Sequence, residues 1–136
     1  MREILFKAKT ISGNWVNGLL ANKDDKWYIS NKAGSPFAYE VRPETLCQFT
    51  GLCDKNGKRI WENDILMAHL DDSYPEDVTY KTVEWGVAGW VAHEVNSVDR
   101  EYLDKFDTEH FEVVGNIFDN KELLQEEWIN GMYKEM

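Results

Sequence analysis

The sequence predicts a mainly β protein, one domain over residues 1–136, with β structure through residue 118 and an α-helix over residues 120–134. Three observations predict it. Short runs of β-branched and aromatic residues alternate with turn-forming clusters along most of the chain. No internal repeat, low-complexity tract or Pro/Gly/Ser-rich linker divides it. Apolar residues recur at helical spacing only near the C-terminus. With 136 residues, 43% of them hydrophobic, 13% aromatic and six of them Trp, the chain can bury one core without disulfide staples.

Residues 3–9, 15–21, 26–30 and 37–42 are the first expected strands. Ser12-Gly13-Asn14, Asn22-Lys23-Asp24-Asp25 and the stretch 31–36 separate them, a spacing typical of β-meanders. Residues 46–49 read as a further strand. Asn56-Gly57 is then the strongest short hairpin signal in the chain, because both residues tolerate positive φ. A two-residue loop there sets Lys55 across from Lys58, Cys53 across from Ile60 and Leu52 across from Trp61. Glu62-Asn63-Asp64 is a second turn, after which residues 65–68 begin a buried strand, and residues 71–77 form an acidic loop. Residues 78–85 and 90–95 pair across Gly86-Val87-Ala88-Gly89. Residues 96–108 are charged and carry no clear period. A strand over 111–114 is broken by Gly115-Asn116 before Ile117-Phe118. Finally, Asp119-Asn120-Lys121-Glu122 has the cap-and-acid pattern of a helix start, and Leu124, Trp128 and Met132 follow at four-residue steps. That helix is expected to cover one end of the β structure, with partner binding as its alternative role.

No stretch approaches the roughly 20 consecutive apolar residues of a membrane helix, and Met1-Arg2-Glu3-Ile4-Leu5-Phe6-Lys7 has no signal-peptide apolar core. The expected location is the cytoplasm, with no membrane partner. Cys47 and Cys53 are too few for a disulfide framework or a four-thiolate zinc site, and are expected as reduced, buried or half-buried side chains. Net charge is −10, unevenly spread: residues 1–66 carry +2 and residues 67–136 carry −12. Such a balance opposes binding to a phosphate backbone, which depends on Lys and Arg releasing counterions, so no direct nucleic-acid ligand is expected. The acidity serves solubility or meets a basic partner.

The segment Gln48-Phe49-Thr50-Gly51-Leu52-Cys53-Asp54-Lys55-Asn56-Gly57-Lys58-Arg59-Ile60-Trp61-Glu62-Asn63-Asp64-Ile65 closely resembles the signature segment of the YopX family, small proteins of phages and prophages. Residues 2–7, 13–18, 39–45 and 112–117 match the family in order, so the resemblance covers nearly the whole chain. Its motif residues here are Thr50, Gly51, Asp54, Asn56, Gly57, Trp61 and Asp64, held as structural or binding positions. The family pattern usually has Gly where this chain has Asn63, the residue next most able to hold a left-handed turn conformation. Cys53 stands where a polar or charged residue is usual. The resemblance implies a mostly β fold with small SH3-like roll or barrel elements and a C-terminal helical element. It implies no established activity and supplies no catalytic residues.

The chemistry-bearing residues are sparse. His69, Asp71 and Asp72, with His93, Glu94 and His110 elsewhere, are of types that suit zinc, manganese or iron, but no zincin spacing is present and Asp72 would point away from the other two on a strand. Glu62 with Asp64, or Asp71 with Asp72, are of the kind that holds a metal or shares acid and base roles. Carboxylates are abundant here, however, and Asp64 has a sufficient structural role in fixing a turn. No Gly-x-Ser-x-Gly elbow, phosphate-cradling loop or dinucleotide fingerprint occurs. No catalytic, cofactor-binding or metal-binding residue is assigned. A domain of this size does not fully hide six Trp, so one or two should be partly exposed at a groove or interface, and Trp61 is the first candidate. The leading expectation is a non-enzymatic phage or prophage accessory protein that binds a host or phage protein or a second copy of itself. An acidic decoy imitating nucleic acid is the alternative, and a small metal-dependent hydrolase using His69 with Asp71 or Asp72 the second.

Overall fold

Alternation of apolar and polar residues builds two antiparallel sheets among the described residues. The computed structural model describes residues 4–30, 37–69, 78–94, 97–98, 100–104 and 109–124. Its strands are β1 (Phe6–Lys9), β2 (Trp15–Lys23), β3 (Lys26–Ser30), β4 (Tyr39–Val41), β5 (Cys47–Cys53), β6 (Arg59–Trp61), β7 (Asp64–His69), β8 (Val78–Trp85), β9 (Trp90–Glu94), β10 (Arg100–Tyr102) and β11 (Glu112–Asn116), with a 3-10 turn at Pro43–Thr45 before β5. The sequence, lacking any linker, predicts one unit. Within it the chain divides into two compact units, Met1–Gly51 and Leu52–Met136, and the boundary lies inside β5, where no change of composition could announce it.

In the first unit the strand order is β4-β3-β2-β1-β5. The β2–β3 hairpin turns through Asp24 and Asp25, both at positive φ (52° and 63°), the mirror-image turn that matches strand twist. Ala8, Ile29 and Val41 are buried, with Phe6, Val16, Leu20, Trp27 and Leu46 packed against them. Thr45 is buried because its hydroxyl is used twice, donating to the Arg42 carbonyl at 2.7 Å and accepting the Lys9 N–H at 2.8 Å.

The implied barrel does not form: neither sheet closes on itself among the described residues. The nearest approach is a corner at which Thr10 bridges Val41, the Arg42 N–H donates to the Lys9 carbonyl at 2.8 Å, and the Ile11 N–H donates to the Glu40 carbonyl at 3.3 Å. Closure would need the rest of the free edge of β1, but Phe6 and Lys7 already pair there with Gln48 and Cys47 of β5. The result is a curled, open roll.

The second unit holds a sheet of order β10-β9-β8-β7-β11, antiparallel throughout, and the hairpin formed by the end of β5 with β6. Ile60, Leu66, Val83, Trp90, Phe111 and Val113 form its core, with Leu52, Ala68 and Leu103 against them. Residues 78–85 and 90–94 pair across 86–89 as the sequence predicts, with Trp85 opposite Trp90. β10 lies in the charged stretch that carries no period, and three exposed residues leave no pattern to read. The strand at the C-terminal side runs on through Gly115-Asn116 rather than breaking there, because a bulge between Val113 and Gly115 absorbs the extra residue; residues 117–119 are a turn and not a strand. Gly115 fits because a Cβ there would collide with the Asn120 side chain, whose Oδ1 accepts the Asn116 N–H at 3.1 Å. Residues 121–124 are helical, as expected; the remainder of the helix proposed for 120–134, including Trp128 and Met132, lies outside the described residues.

Candidate functional site

Two carboxylates of the signature segment in the second unit, Asp54 and Asp64, are engaged in fixing backbone. Asp54 is buried, and its carboxylate accepts three main-chain N–H groups at 2.9 Å: Asn56 and Lys58 on Oδ1, Val113 on Oδ2. Burial on its own would raise this carboxyl, but the hydrogen bonds from Val113, Lys58 and Asn56, together with the Lys58 charge, outweigh it and hold the group below the ordinary carboxylate range. The Lys55 N–H donates to the Phe111 carbonyl at 3.1 Å, so the turn is stitched to the β11 approach twice.

That turn differs from the expected two-residue loop. Asp54 N–H donates to the Lys58 carbonyl and Gly57 N–H to the Asp54 carbonyl, and within the turn only Gly57 has positive φ, at 80°. This is a three-residue loop, a type I turn followed by a left-handed glycine. Asp54 therefore faces Lys58, and counting outward sets Cys53 opposite Arg59 and Leu52 opposite Ile60, one step from the sequence-based register. The Asp54 carboxylate selects it by accepting the Asn56 N–H within the loop and the Lys58 N–H at its end.

Asn63 adopts the left-handed conformation expected of it, φ 70°, and its N–H donates to the Val83 carbonyl at 2.8 Å while its carbonyl accepts the Ile117 N–H at 3.0 Å. Asp64 is buried with Oδ2 accepting the Trp61 N–H at 2.8 Å, which gives it a structural duty in fixing the turn. Trp61 itself is 7% exposed, which corrects its nomination as the exposed aromatic: it is packed away by the turn that follows it. In the first unit Thr50 is buried and Gly51 exposed. Cys47 is buried and donates weakly to the Thr45 carbonyl at 3.3 Å, whereas Cys53 is exposed rather than packed, on the outward step of the shifted register. His69 ends β7 on the surface, and Asp71 and Asp72 lie outside the described residues; no three His, Cys, Asp or Glu side chains among the described residues gather in a metal-holding group.

The strongest candidate surface lies on β8, β9 and β10. Alternation buries Val83, Trp90 and Ala92 on one face and turns Thr82, Glu84, His93, Arg100 and Tyr102 to the other, with Val91 beneath them. Two cross-strand rows result, Glu84–Val91–Tyr102 and Thr82–His93–Arg100. Glu84 ties them together, meeting His93 Nδ1 at 3.1 Å through Oε1 and accepting from Arg100 Nε at 3.3 Å through Oε2. The second ring nitrogen of His93 meets the Ser97 carbonyl at 2.5 Å. Beside this polar cluster a groove of about 570 Å³ is lined by Glu84, Trp85, Gly86, Val87, Val91, Arg100 and Tyr102. Trp85 is 57% and Tyr102 55% exposed, and Val87 is fully so. Trp85 is nonetheless held in place, edge-on to the buried Trp90 at 4.8 Å between ring centroids and 72° between planes. A rigid aromatic anchor next to oriented polar groups is the composition of a binding hot spot. The hint in the sequence was Trp85 facing Trp90 across a glycine-bounded loop: such partners share one face of the sheet, and here Trp90 is covered by the core while Trp85, at the hairpin end, is left exposed.

The "YopX protein" family model matches residues 7–125. Among solved structures, the crystal structure of protein EF1440 from Enterococcus faecalis is similar with a TM-score of 0.59 and 22% identity, over 91% of this chain and 99% of that one. That likeness is one of fold. A search of curated proteins returns no match.

Proposed function

The chain belongs to the YopX family, and we propose that it works as a non-enzymatic protein-interaction module which docks a partner protein at the groove lined by Trp85 and Tyr102 in its second unit. The observation that carries this reading is the pairing of large exposed aromatics with a groove, next to side chains already oriented by mutual hydrogen bonds. Its setting is the cytoplasm of a bacterial host, and its partner a host or phage protein, as expected of an accessory protein of phages or prophages. The test is capture from host lysate, with and without phage induction, by wild type and by a Trp85→Ser/Tyr102→Ser variant. A stoichiometric protein held at physiological salt and lost with the variant supports the module. Equal capture by both proteins overturns it.

A second reading has its own observation. Residues 52–136 carry a net charge of −12 against +2 for residues 1–51, so the second unit concentrates the acidity. Such a body suits a decoy occupying the nucleic-acid site of a basic host protein. Salt separates the two: a charge-held decoy complex weakens steeply between low and physiological ionic strength, an aromatic-anchored one little.

A further inference from the structure

We infer that the partner supplies a basic, extended segment that adds to the second unit's sheet as a strand alongside β10. This rests on the docking reading above and specifies what docks. β10 ends its sheet, pairing only with β9 among the described residues. The Leu103 N–H donates to the Trp90 carbonyl at 2.9 Å, so alternation points the main-chain groups of Glu101 and Leu103 toward β9 and those of Arg100 and Tyr102 outward. Four main-chain groups, two N–H and two C=O, thus form an open template. All three β10 residues are exposed. The side chains of Arg100 and Tyr102 lie on one face of the sheet, so a strand laid beside them places alternate side chains against these two residues.

Charge selects the occupant. A second copy is disfavoured, because two β10 strands paired about their centre set Glu101 against Glu101, and each chain carries −10. A guest bearing Lys or Arg meets Glu101, which it shares with Lys81, and is drawn to a unit of net charge −12.

Selection of a random-peptide display library on the intact protein tests this, followed by synthesis of the winning peptides with and without N-methylation of alternate amides. The expected result is enrichment of basic sequences with β-branched or aromatic residues at alternate positions, whose binding N-methylation on one register abolishes while methylation on the other spares. On the protein side, Arg100→Pro removes an outward N–H that no β9 group uses, and Arg100→Ala removes the guanidinium alone; Pro should weaken binding roughly three- to tenfold beyond Ala. Enriched peptides that are acidic, or that bind equally well when methylated on either register, overturn strand addition but leave docking intact if Trp85→Ser abolishes them. Peptides indifferent to Trp85→Ser, or no enrichment at all, overturn the docking reading itself and the inference with it.

Discussion

Replacing Asp54 by Ala should remove a large part of the stability of the second unit. The carboxylate accepts three main-chain N–H groups at 2.9 Å, and a hydrogen bond to a charged acceptor contributes about 1.5–3 kcal/mol. The three are not equal. Asn56 and Lys58 sit in an exposed turn, where water can take the carboxylate's place, so their loss lies at the low end. Val113 is buried beside Phe111, and its N–H would be left with no acceptor, which incurs the full desolvation penalty. Release of a buried carboxylate offsets part of the total, and a net loss of about 3–5 kcal/mol is expected. Against a typical domain stability of about 5–15 kcal/mol that is a large fraction. Urea unfolding should show it as a midpoint lowered by about 2 M with the slope unchanged, and amide exchange should quicken first at Val113, Asn56 and Lys58. Asp54→Asn keeps one oxygen for the turn but turns an NH2 toward Val113, so its loss should concentrate at that amide. A loss under about 1 kcal/mol for Asp54→Ala, with Val113 still protected, would refute the argument that this side chain ties the hairpin to β11.

Acid should act through the same group: because the folded-state carboxyl titrates below its unfolded value near about 3.9, its contribution is fully present above that value and is lost as pH falls through the folded one. Asp54→Asn should therefore flatten the acid limb of the stability curve below about pH 4, and an unchanged limb would assign it to other carboxylates. Asn63→Val forces a β-branched residue to φ 70° and should lower stability by about 1–2 kcal/mol, whereas Asn63→Gly should be neutral within about 0.5 kcal/mol, both read from urea midpoints. Trp85→Ser should change stability by less than about 1 kcal/mol while Trp90→Ser costs about 3–5 kcal/mol, since only the second empties a core; equal losses would show that Trp85 is a packing residue.

Much of the fold was legible because short alternating runs and turn residues are local signals. The β8–β9 hairpin is the clearest case: β-branched and aromatic flanks, two glycines between them, and the observed pairing ends at Trp85 and Trp90. What escaped depended on partners distant in sequence. Asn56-Gly57 reads as a two-residue loop by itself, and it is the Asp54 carboxylate, locked by Val113 fifty-nine residues on, that draws Asp54 into the turn and shifts the register by one. The run-on through Gly115 likewise needs the bulge set by Leu66 and Ile65 of β7, and the close approach of Asn120. The division between units was illegible because it falls within β5, a strand whose composition is uniform on both sides of Gly51.

The site was missed for a related reason. The signature segment drew attention to Trp61, Asp54 and Asp64 because it is the densest run of recognisable residues, and the two carboxylates turn out to bind main chain while Trp61 is buried. The blocks that carry the family resemblance stop at Ile65 and resume at Glu112, while the face bearing Glu84, Trp85, His93, Arg100 and Tyr102 lies wholly between them. The family match itself spans residues 7–125, but the blocks recognisable in the sequence hold residues that fix a backbone, and a backbone can be shared by chains that bind different things. What this chain binds has to be argued from the groups that the fold leaves outside: an anchored but exposed Trp, a Tyr over a groove, and a three-residue strand whose outward N–H and C=O groups have no strand partner among the described residues.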